Sequence, residues 1–488
     1  MNHDALDRLL SQPEVQAVRA LARVPTILVG GAVRDALLGR PAVHDLDFAV
    51  QGNALSLGRA VANAIKGDFY VLDATRGTAR VLLPTRPDRP ALIMDFAACR
   101  GPDWRSDALA RDFTINTLAV SLEQGTLLDE TGGLADLQAG VIRAVTPQAI
   151  EDDPVRALRA VRLACALDMR IAPDTADLVR AGSALLSRPS VERLRDELMA
   201  ILALDNAARV TQMLDSFGLL SPLLPEIEPL RTCPLARDPQ TSILQHTWRV
   251  MAALDDLLDD MRVVLARGDY ALPHAEKLAK HFARPLADGR PRAATCRLAA
   301  LLHDCGKPAV RTVDAEGHVY FSGYEFAGAA WAGQRARALR LSNAEVLRTE
   351  TIIRHHTAVP RMAYEFYPPA PRAIYRFFNA AGDCAPELVA LALADCLDER
   401  SPDECALVAE IVRLLLDEYY ARYESSVTPP TLINGFDLLA IGAHQGRLLG
   451  DVLEAVREAQ MTGQIATREE ALALAQRLIN QHRREPLR

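Results

Sequence analysis

The pattern of apolar and polar residues divides the chain into an N-terminal segment of mixed strands and helices and a longer helical remainder. Short apolar or alternating runs at residues 26–29, 46–50, 69–72, 79–83 and 91–97 predict strands, because the side chains of a half-buried strand face alternate sides. From about residue 148, apolar residues recur at helical spacing, as at 154–167 and 191–204. The pattern predicts an α+β fold, with an N-terminal mixed-sheet head followed by a helical neck, body and tail.

Two proline-containing stretches predict the boundaries within the helical part. One spans residues 221–239, and the other is Thr428-Pro429-Pro430. A chain of 488 residues is also too long for one core. We therefore expect four domains: a head at 1–147, a neck at 148–222, a body at 240–422 and a tail at 430–488.

Composition narrows the class of protein. Hydrophobic residues make up 49% and charged residues 24%, a balance typical of soluble globular proteins. The sequence has neither a long apolar run nor a signal-peptide pattern, and its eight cysteines form no CxxC pair, so a reduced, cytoplasmic protein is expected. The net charge of −8 argues against nonspecific coating of nucleic acid, although a local basic surface remains compatible with it.

Candidate chemistry begins with Gly30-Gly31-Ala32-Val33-Arg34-Asp35, followed by His44-Asp45-Leu46-Asp47. A glycine turn that opens a helix offers backbone N–H groups to a triphosphate. Asp45 and Asp47 lie two apart on a predicted strand, so both carboxylates face one side and suit Mg²⁺, with Asp95 as a third carboxylate. Asp-x-Asp alone is more often a solvated strand edge, but the upstream glycine motif favours a metal-dependent nucleotide site.

Three further segments carry a family resemblance: residues 111–118 (RDFTINTL), residues 152–156 (DDPVR) and Glu192-Arg193. Together with the glycine and Asp-x-Asp motifs, they resemble the polymerase β superfamily of nucleotidyltransferases, and more narrowly the bacterial class II CCA-adding enzymes and bacterial poly(A) polymerases. The resemblance implies that Asp112 and Asn116 handle the ribose. The nucleotide-binding residues expected are Gly30, Gly31, Arg34, Arg111, Asp112, Asn116, Asp153, Arg156 and Arg159.

Asp153 and Arg156 match the family's protein-template motif, in which Asp152 replaces the usual Glu. Three positions apart on a predicted helix, the two residues are expected to share a face. A carboxylate accepts from the exocyclic amine of cytosine or adenine, and a guanidinium donates to ring acceptors, which favours C and A. A solvated salt bridge is the alternative interpretation. Arg159, one further turn along, is expected to reach the triphosphate.

The body contains a second candidate metal site. His246, the pair His303-Asp304 and Asp395 resemble the HD superfamily of metal-dependent phosphohydrolases. Imidazole and carboxylate ligands suit Mn²⁺, Ni²⁺ or a similar divalent ion. Tyr324 stands where family members often carry histidine, which weakens a second metal. Hydrolysis of 2′,3′-cyclic or 2′-phosphate ends and a helical scaffold that holds tRNA are both compatible with this region.

The resemblance implies a template-independent enzyme that adds or repairs the 3′-terminal CCA of tRNA from CTP and ATP. The tail also resembles the C-terminal region of HD-bearing CCA enzymes, where contact with the tRNA body is expected. Alternatives are a CC-adding or A-adding enzyme, a poly(A) polymerase, and an HD hydrolase or RNA-binding scaffold with an inactive head. Expected partners are tRNA and the two nucleotides, with no membrane and no obligate protein partner.

Overall fold

The structure, a computed structural model, describes residues 3–40, 45–85, 91–265, 268–399, 401–423, 431–444 and 446–484. The chain folds into two compact units, one of residues 1–197 and 213–223 and one of residues 198–212 and 224–488. His44 and the break expected at 428–430 lie outside the described residues. The four-domain division therefore stays a prediction.

A mixed sheet is the centre of the first unit. Its strands are β1 (Thr26–Val29), β2 (Asp45–Val50), β3 (Asp68–Asp73), β4 (Thr78–Leu83), β5 (Leu92–Ala98), β6 (Ala119–Ser121) and β7 (Leu127–Leu128). They are ordered β3-β4-β5-β2-β1-β6-β7. Strands β2 and β5 are parallel and the other neighbouring pairs are antiparallel. The five strands expected from the apolar pattern are therefore present.

The first helices of the chain surround this sheet and continue into the neck. They are α1 (His3–Leu10), α2 (Pro13–Leu21), α3 (Gly31–Leu37), α4 (Ala54–Ile65), α5 (Trp104–Leu109), α6 (Gly133–Ala139), α7 (Ala149–Asp152), α8 (Val155–Leu167), α9 (Pro173–Gly182), α10 (Val191–Leu202), α11 (Ala207–Ser216) and α12 (Leu220–Leu223). Short strands β8 (Val141–Ile142) and β9 (Arg170–Ile171) pair in parallel between head and neck segments.

The alternation of side chains along β2 and β5 places the core on one face of the sheet and polar groups on the other. Leu46 and Phe48 are buried, whereas Asp45 and Asp47 are exposed. Phe48 stacks on Phe96 of β5 with ring centroids 5.0 Å apart. Burial of these two rings fixes the register of the parallel pair, because a slip by one residue would turn the aromatic side chains out of the core.

The second unit is mainly helical. Its helices are α13 (Ile243–Asp260), α14 (Ala275–Ala283), α15 (Arg292–Leu302), α16 (Lys307–Val310), α17 (Tyr324–Ala338), α18 (Asn343–His355), α19 (Ala358–Tyr364), α20 (Pro371–Ala381), α21 (Ala385–Glu399), α22 (Pro402–Glu418), α23 (Gly435–Ala440), α24 (Arg447–Met461) and α25 (Arg468–Arg484). Nearly every residue of α15 is buried, so this helix forms the axis of the body. None of the helices in the described ranges is both long and apolar enough to cross a bilayer.

Two small hairpins in the body were not expected from the sequence. They consist of β10 (Arg262–Leu265) with β11 (Gly268–Ala271), and of β12 (Thr312–Val313) with β13 (Val319–Tyr320). Strands this short carry no readable apolar period. The expected class, an α+β protein with an N-terminal mixed sheet and a helical remainder, is confirmed.

Candidate active site and metal centre

The sheet brings the predicted carboxylates of the head onto neighbouring strands. Asp47 on β2 is the register partner of Asp95 on β5, and Asp45 precedes Asp47 by two residues on the same face. Gly30, with a φ of +89°, lies against them, since a Cβ at this position would be only 3.3 Å from Oδ2 of Asp47. The glycine turn thus has two reasons to lack a side chain, its left-handed backbone and its closeness to a carboxylate.

Arg80 on β4 was missed by the sequence analysis. Its Nε donates to Oδ1 of Asp95 at 2.8 Å, and its Nη2 donates to Oδ2 at 2.9 Å. This bidentate pair follows from the antiparallel register, in which Arg80 and Asp95 are direct partners. The register in which these two strands pair, across the eight residues between Leu83 and Leu92, could not be read from the sequence.

The environment of Asp47 disfavours its charged form. Although the Asp47 side chain keeps contact with solvent, the protein atoms around it desolvate the carboxylate; this desolvation, followed by repulsion from Asp95 and Asp45, raises the pKa of Asp47 to about 6, against the attraction of Arg111 and Arg80. Carboxylates crowded in this way are suited to a divalent cation, which would relieve the repulsion. The donor set of Asp45 and Asp47 therefore fits Mg²⁺.

A hydrogen-bonded network centred on Asp112 lies beside the glycine turn. Asp112 is buried and accepts from the backbone N–H of Phe113 at 2.8 Å, from Asn116 Nδ2 at 3.1 Å and from Arg159 Nη1 at 3.2 Å. Burial alone would raise the pKa of Asp112, but Arg159 and these hydrogen bonds outweigh it and lower the pKa. Asn116 in turn accepts from Arg34 Nη1 at 2.6 Å. The predicted residues Arg34, Asp112, Asn116 and Arg159 are thus brought together.

The network continues into the neck through Glu197 on α10. Glu197 Oε2 lies 3.6 Å from Arg159 Nε, and Glu197 Oε1 accepts from Arg162 Nε at 2.6 Å. The guanidinium of Arg159 therefore lies between two carboxylates in this structure. Arg111, also predicted at the site, pairs with Asp107 at 2.8 Å and is close enough to Asp47 to act on its charge.

The local geometry of Asp153 differs from the expectation. Asp153 does not lie on a helix with Arg156, because it ends α7 in an extended conformation with φ −146° and ψ 92°. The following residue is Pro154, whose ring disfavours a helical conformation in the residue before it. The expectation of a shared helix face is therefore wrong, although the Asp153 Oδ2 and Arg156 Nε atoms still lie 3.8 Å apart.

Arg193 of α10 binds one of the two carboxylate oxygens of Asp153. Arg193 Nη2 donates to Asp153 Oδ2 at 2.6 Å, whereas Asp153 Oδ1 is buried and accepts no hydrogen bond from the residues described. Arg156 is fixed by its donations to main-chain carbonyl oxygens, those of Ala110, Arg111 and Ala149. The two predicted template residues are therefore held side by side.

The second unit brings together the four predicted metal ligands. His246 Nε2 lies 3.0 Å from Asp395 Oδ1 and 3.6 Å from Asp304 Oδ2, and His303 Nε2 lies 3.4 Å from the same Asp304 oxygen. His303 Nδ1 donates to the carbonyl of Ala300 at 2.7 Å, so its Nε2 lone pair faces the carboxylates. Among the described residues, neither His303 Nε2 nor Asp304 Oδ1 has a hydrogen-bond partner.

Asp398 supports this centre and was not singled out from the sequence. Its Oδ2 lies 2.7 Å from His246 Nδ1 and fixes the imidazole with Nε2 toward Asp395. Burial opposes a charged imidazole, but the hydrogen bonds with Asp395 and Asp398 raise the pKa of His246 to about 10. A divalent metal bound between the imidazole and the carboxylates would replace a proton there, and a carboxylate behind the histidine is typical of metal sites. The residues fit a metal ion.

His356 lies beside His303 but is committed elsewhere. The Tyr324 hydroxyl lies 3.0 Å from His356 Nε2, and His356 Nδ1 lies 2.6 Å from the carbonyl of Ile353. Burial lowers the pKa of His356 to about 4, so the ring is neutral and both of its nitrogens are engaged. His356 is therefore not oriented as a further ligand.

Three family models match successive parts of the chain. The poly A polymerase head domain matches residues 26–143, the probable RNA- and SrmB-binding site of polymerase A matches residues 168–230, and the HD domain matches residues 243–400. The mixed sheet and the head match define the class: the chain is a nucleotidyltransferase with a poly(A) polymerase-type head.

Relatives that match nearly the whole chain identify the family within this class. The A-adding tRNA nucleotidyltransferase of Deinococcus radiodurans is 31% identical over 92% of this chain and 94% of its own length. The CC-adding tRNA nucleotidyltransferase of Geobacter sulfurreducens is 31% identical over 96% of each chain. A solved structure of a CCA-adding enzyme with CTP shares the fold, with a TM-score of 0.63, 23% identity and 97% coverage of both chains. The chain belongs to the tRNA nucleotidyltransferase family, as the sequence motifs predicted.

The raised pKa of Asp47 predicts a pH-dependent gain in stability on neutralising this residue. Ionised Asp47 destabilises the fold, and this cost is absent below its ordinary pKa of 3.8, grows with pH and is complete above about 6. The thermal midpoint of Asp47→Asn in EDTA should therefore exceed that of the original protein at pH 7.5 and converge with it near pH 4. Asp68→Asn, at an exposed position of the same sheet, is the control. A constant difference at all pH values would contradict the assignment.

Proposed function

We propose that the chain adds C and A residues to the 3′ end of tRNA, with pyrophosphate as the other product. The observation that carries this proposal is the Asp153 carboxylate, held by Arg193, beside the fixed guanidinium of Arg156. A carboxylate can accept a hydrogen bond from the exocyclic amine of cytosine or adenine, whereas guanine and uracil present a carbonyl there. The tRNA nucleotidyltransferase relatives support the same choice of nucleotides.

In the proposed reaction, the 3′-hydroxyl of tRNA attacks the α-phosphate of CTP or ATP. Asp45 and Asp47 would hold Mg²⁺, with Asp95 as the third carboxylate. Bound there, the metal would activate the hydroxyl and stabilise the leaving pyrophosphate. Gly30 lies against Asp47, and the backbone of Gly30 and Gly31 has no side chain that would block the approach of a triphosphate.

The Asp112 network is proposed to position the sugar and the phosphates. Asp112 and Asn116 are proposed to orient the ribose, since they are hydrogen-bonded to each other and Asn116 also to Arg34, which lies just after the glycine turn in sequence. Arg159 keeps Asp112 ionised and, by the same proximity, is available to a phosphate of the nucleotide. The arginines at this site suit phosphate because the guanidinium donates in a planar fork.

The choice among complete CCA addition, CC addition and A addition is an experimental one. The A-adding and the CC-adding relatives are equally identical to this chain, at 31%. Solved structures of the fold include a Thermotoga maritima CCA-adding enzyme complexed with tRNA, at a TM-score of 0.58 and 22% identity over 97% of each chain. We propose tRNA, CTP and ATP as the substrates and complete CCA addition as the activity.

Incubation with three tRNA transcripts tests this proposal. The transcripts lack CCA, end in CC or are complete, and each is given Mg²⁺ and one labelled nucleotide or a CTP and ATP mixture. We expect two C residues and one A on the first transcript, one A on the second and none on the third, with products sized at nucleotide resolution. Addition of only C or only A would indicate a CC-adding or A-adding enzyme. Long A tracts would indicate a poly(A) polymerase, and no incorporation would overturn the proposal.

A second activity is proposed for the centre formed by His246, His303, Asp304 and Asp395. We propose that it holds one divalent ion, such as Mn²⁺ or Ni²⁺, and hydrolyses 2′,3′-cyclic or 2′-phosphate ends of RNA. The support is the pair of Nε2 atoms turned toward two carboxylates and the commitment of His356 to Tyr324, which leaves one ligand set. A helical scaffold without hydrolytic activity is the alternative.

Substitution of the HD pair separates this activity from nucleotide addition. His303→Ala and Asp304→Asn should each reduce metal-dependent hydrolysis of a 2′,3′-cyclic nucleotide by at least about 100-fold, because each removes a metal ligand. His318→Ala, an exposed histidine in the same unit, should retain hydrolysis, and nucleotide addition reports on the fold of each variant. Hydrolysis that survives both substitutions would exclude this site, and its absence from the original protein would favour the scaffold.

A further inference from the structure

Arg80, Asp95 and Asp47 form a row across three adjacent strands of the head. Arg80 on β4 is the register partner of Asp95 on β5, which is the partner of Asp47 on β2. Residues paired in register point to the same face of a sheet. Asp95 therefore has the guanidinium of Arg80 on one side and the carboxylate of Asp47 on the other. The guanidinium attracts the Asp95 carboxylate, whereas Asp47 repels it.

In this structure Asp95 is bound by the guanidinium of Arg80. Both oxygens of Asp95 accept from Arg80, at 2.8 and 2.9 Å. Among the described residues, the sets of three ligand-type side chains whose atoms all lie within 4.8 Å of one another do not include Asp45, Asp47 and Asp95. The three carboxylates are thus on one face of the sheet without converging on a common point.

The pair is placed where it can open. The side chain of Arg80 is 40% exposed and that of Asp95 is 27% exposed. Water competes for both groups at such exposure, so the contact is far weaker than a fully buried ion pair. Arginine also pairs readily with phosphate oxygens, which gives its guanidinium an alternative partner when a triphosphate is nearby.

We propose that Arg80 is a positioning residue that withholds Asp95 from the metal ions of the head in the nucleotide-free enzyme. This inference rests on the proposed function, in which Asp45, Asp47 and Asp95 hold Mg²⁺. Metal binding by Asp95 then requires the Arg80 contact to open, and the third ligand joins the site only after that step. Although Arg80 lies at the reaction centre, replacing it should raise the affinity of the nucleotide-free site for metal ions.

The test measures the affinity of the full-length, nucleotide-free protein for Mn²⁺ by electron paramagnetic resonance. A His303→Ala background removes the contribution of the second metal centre. Arg80→Met should bind Mn²⁺ at the head about three- to tenfold more tightly, since it frees a ligand and removes a nearby positive charge. Arg80→Lys keeps the charge but loses the bidentate geometry, so its Mn²⁺ affinity should lie between those of the original protein and Arg80→Met. This variant also keeps the inference testable if Arg80→Met fails to fold.

The double variant Arg80→Met/Asp95→Asn separates release of Asp95 from a general charge effect. We expect Arg80→Met to give no gain in Mn²⁺ affinity in an Asp95→Asn background, measured against Asp95→Asn alone, whereas a general charge effect would raise the affinity there too. An unchanged or weaker affinity in Arg80→Met and Arg80→Lys, or a gain that persists without Asp95, would overturn the inference. Nucleotide addition to tRNA by the original protein is measured separately, so a failure of the proposed function leaves the Mn²⁺ result readable.

Discussion

The buried carboxylate of Asp112 is the interaction on which the arrangement of the candidate active site depends. A charged group at this depth is stable only when several donors surround it, and Asp112 receives a backbone N–H, an amide and a guanidinium. The three donors come from different parts of the chain: the turn after α5, the residue proposed to contact the ribose, and helix α8 of the neck. Satisfying one buried charge therefore fixes the sheet, the sugar site and α8 relative to one another.

Helix α10 extends this constraint to nucleotide choice. Its residues Arg193 and Glu197 are four positions apart and share a face of the helix. Arg193 holds Asp153, while Glu197 contacts Arg159 and Arg162 of α8. The same helix thus supports both the proposed template and the Asp112 network. This link gives a physical reason for the Glu192-Arg193 motif, which the sequence presented only as a family likeness.

Much of the fold followed from the sequence because its signals are local. The β2 strand was predicted from alternating residues and the Asp-x-Asp pair followed from the same period, since both depend on neighbours within a few positions. The ligands His246, His303, Asp304 and Asp395 were found by family motif, and the structure brings them together from three helical regions. Their convergence could not have been derived from spacing alone.

The features that escaped prediction depend on contacts between distant segments. The pairing of Arg80 with Asp95 requires the register of β4 and β5, and the role of Asp398 requires the packing of α13 against α21. The helical placement of Asp153 was wrong for a local reason, since Pro154 follows it and ends the helix.

The most direct test of this account is the nucleotide preference of Asp153→Ala, measured as kcat/KM for CTP against UTP on a tRNA that lacks CCA. Glu151→Ala, an exposed neighbour in α7, is the matched control. If Asp153 reads the exocyclic amine, the preference for CTP should fall by about 10- to 100-fold in Asp153→Ala and stay unchanged in Glu151→Ala. An unaltered preference in Asp153→Ala, with activity otherwise present, would contradict a protein template at this position.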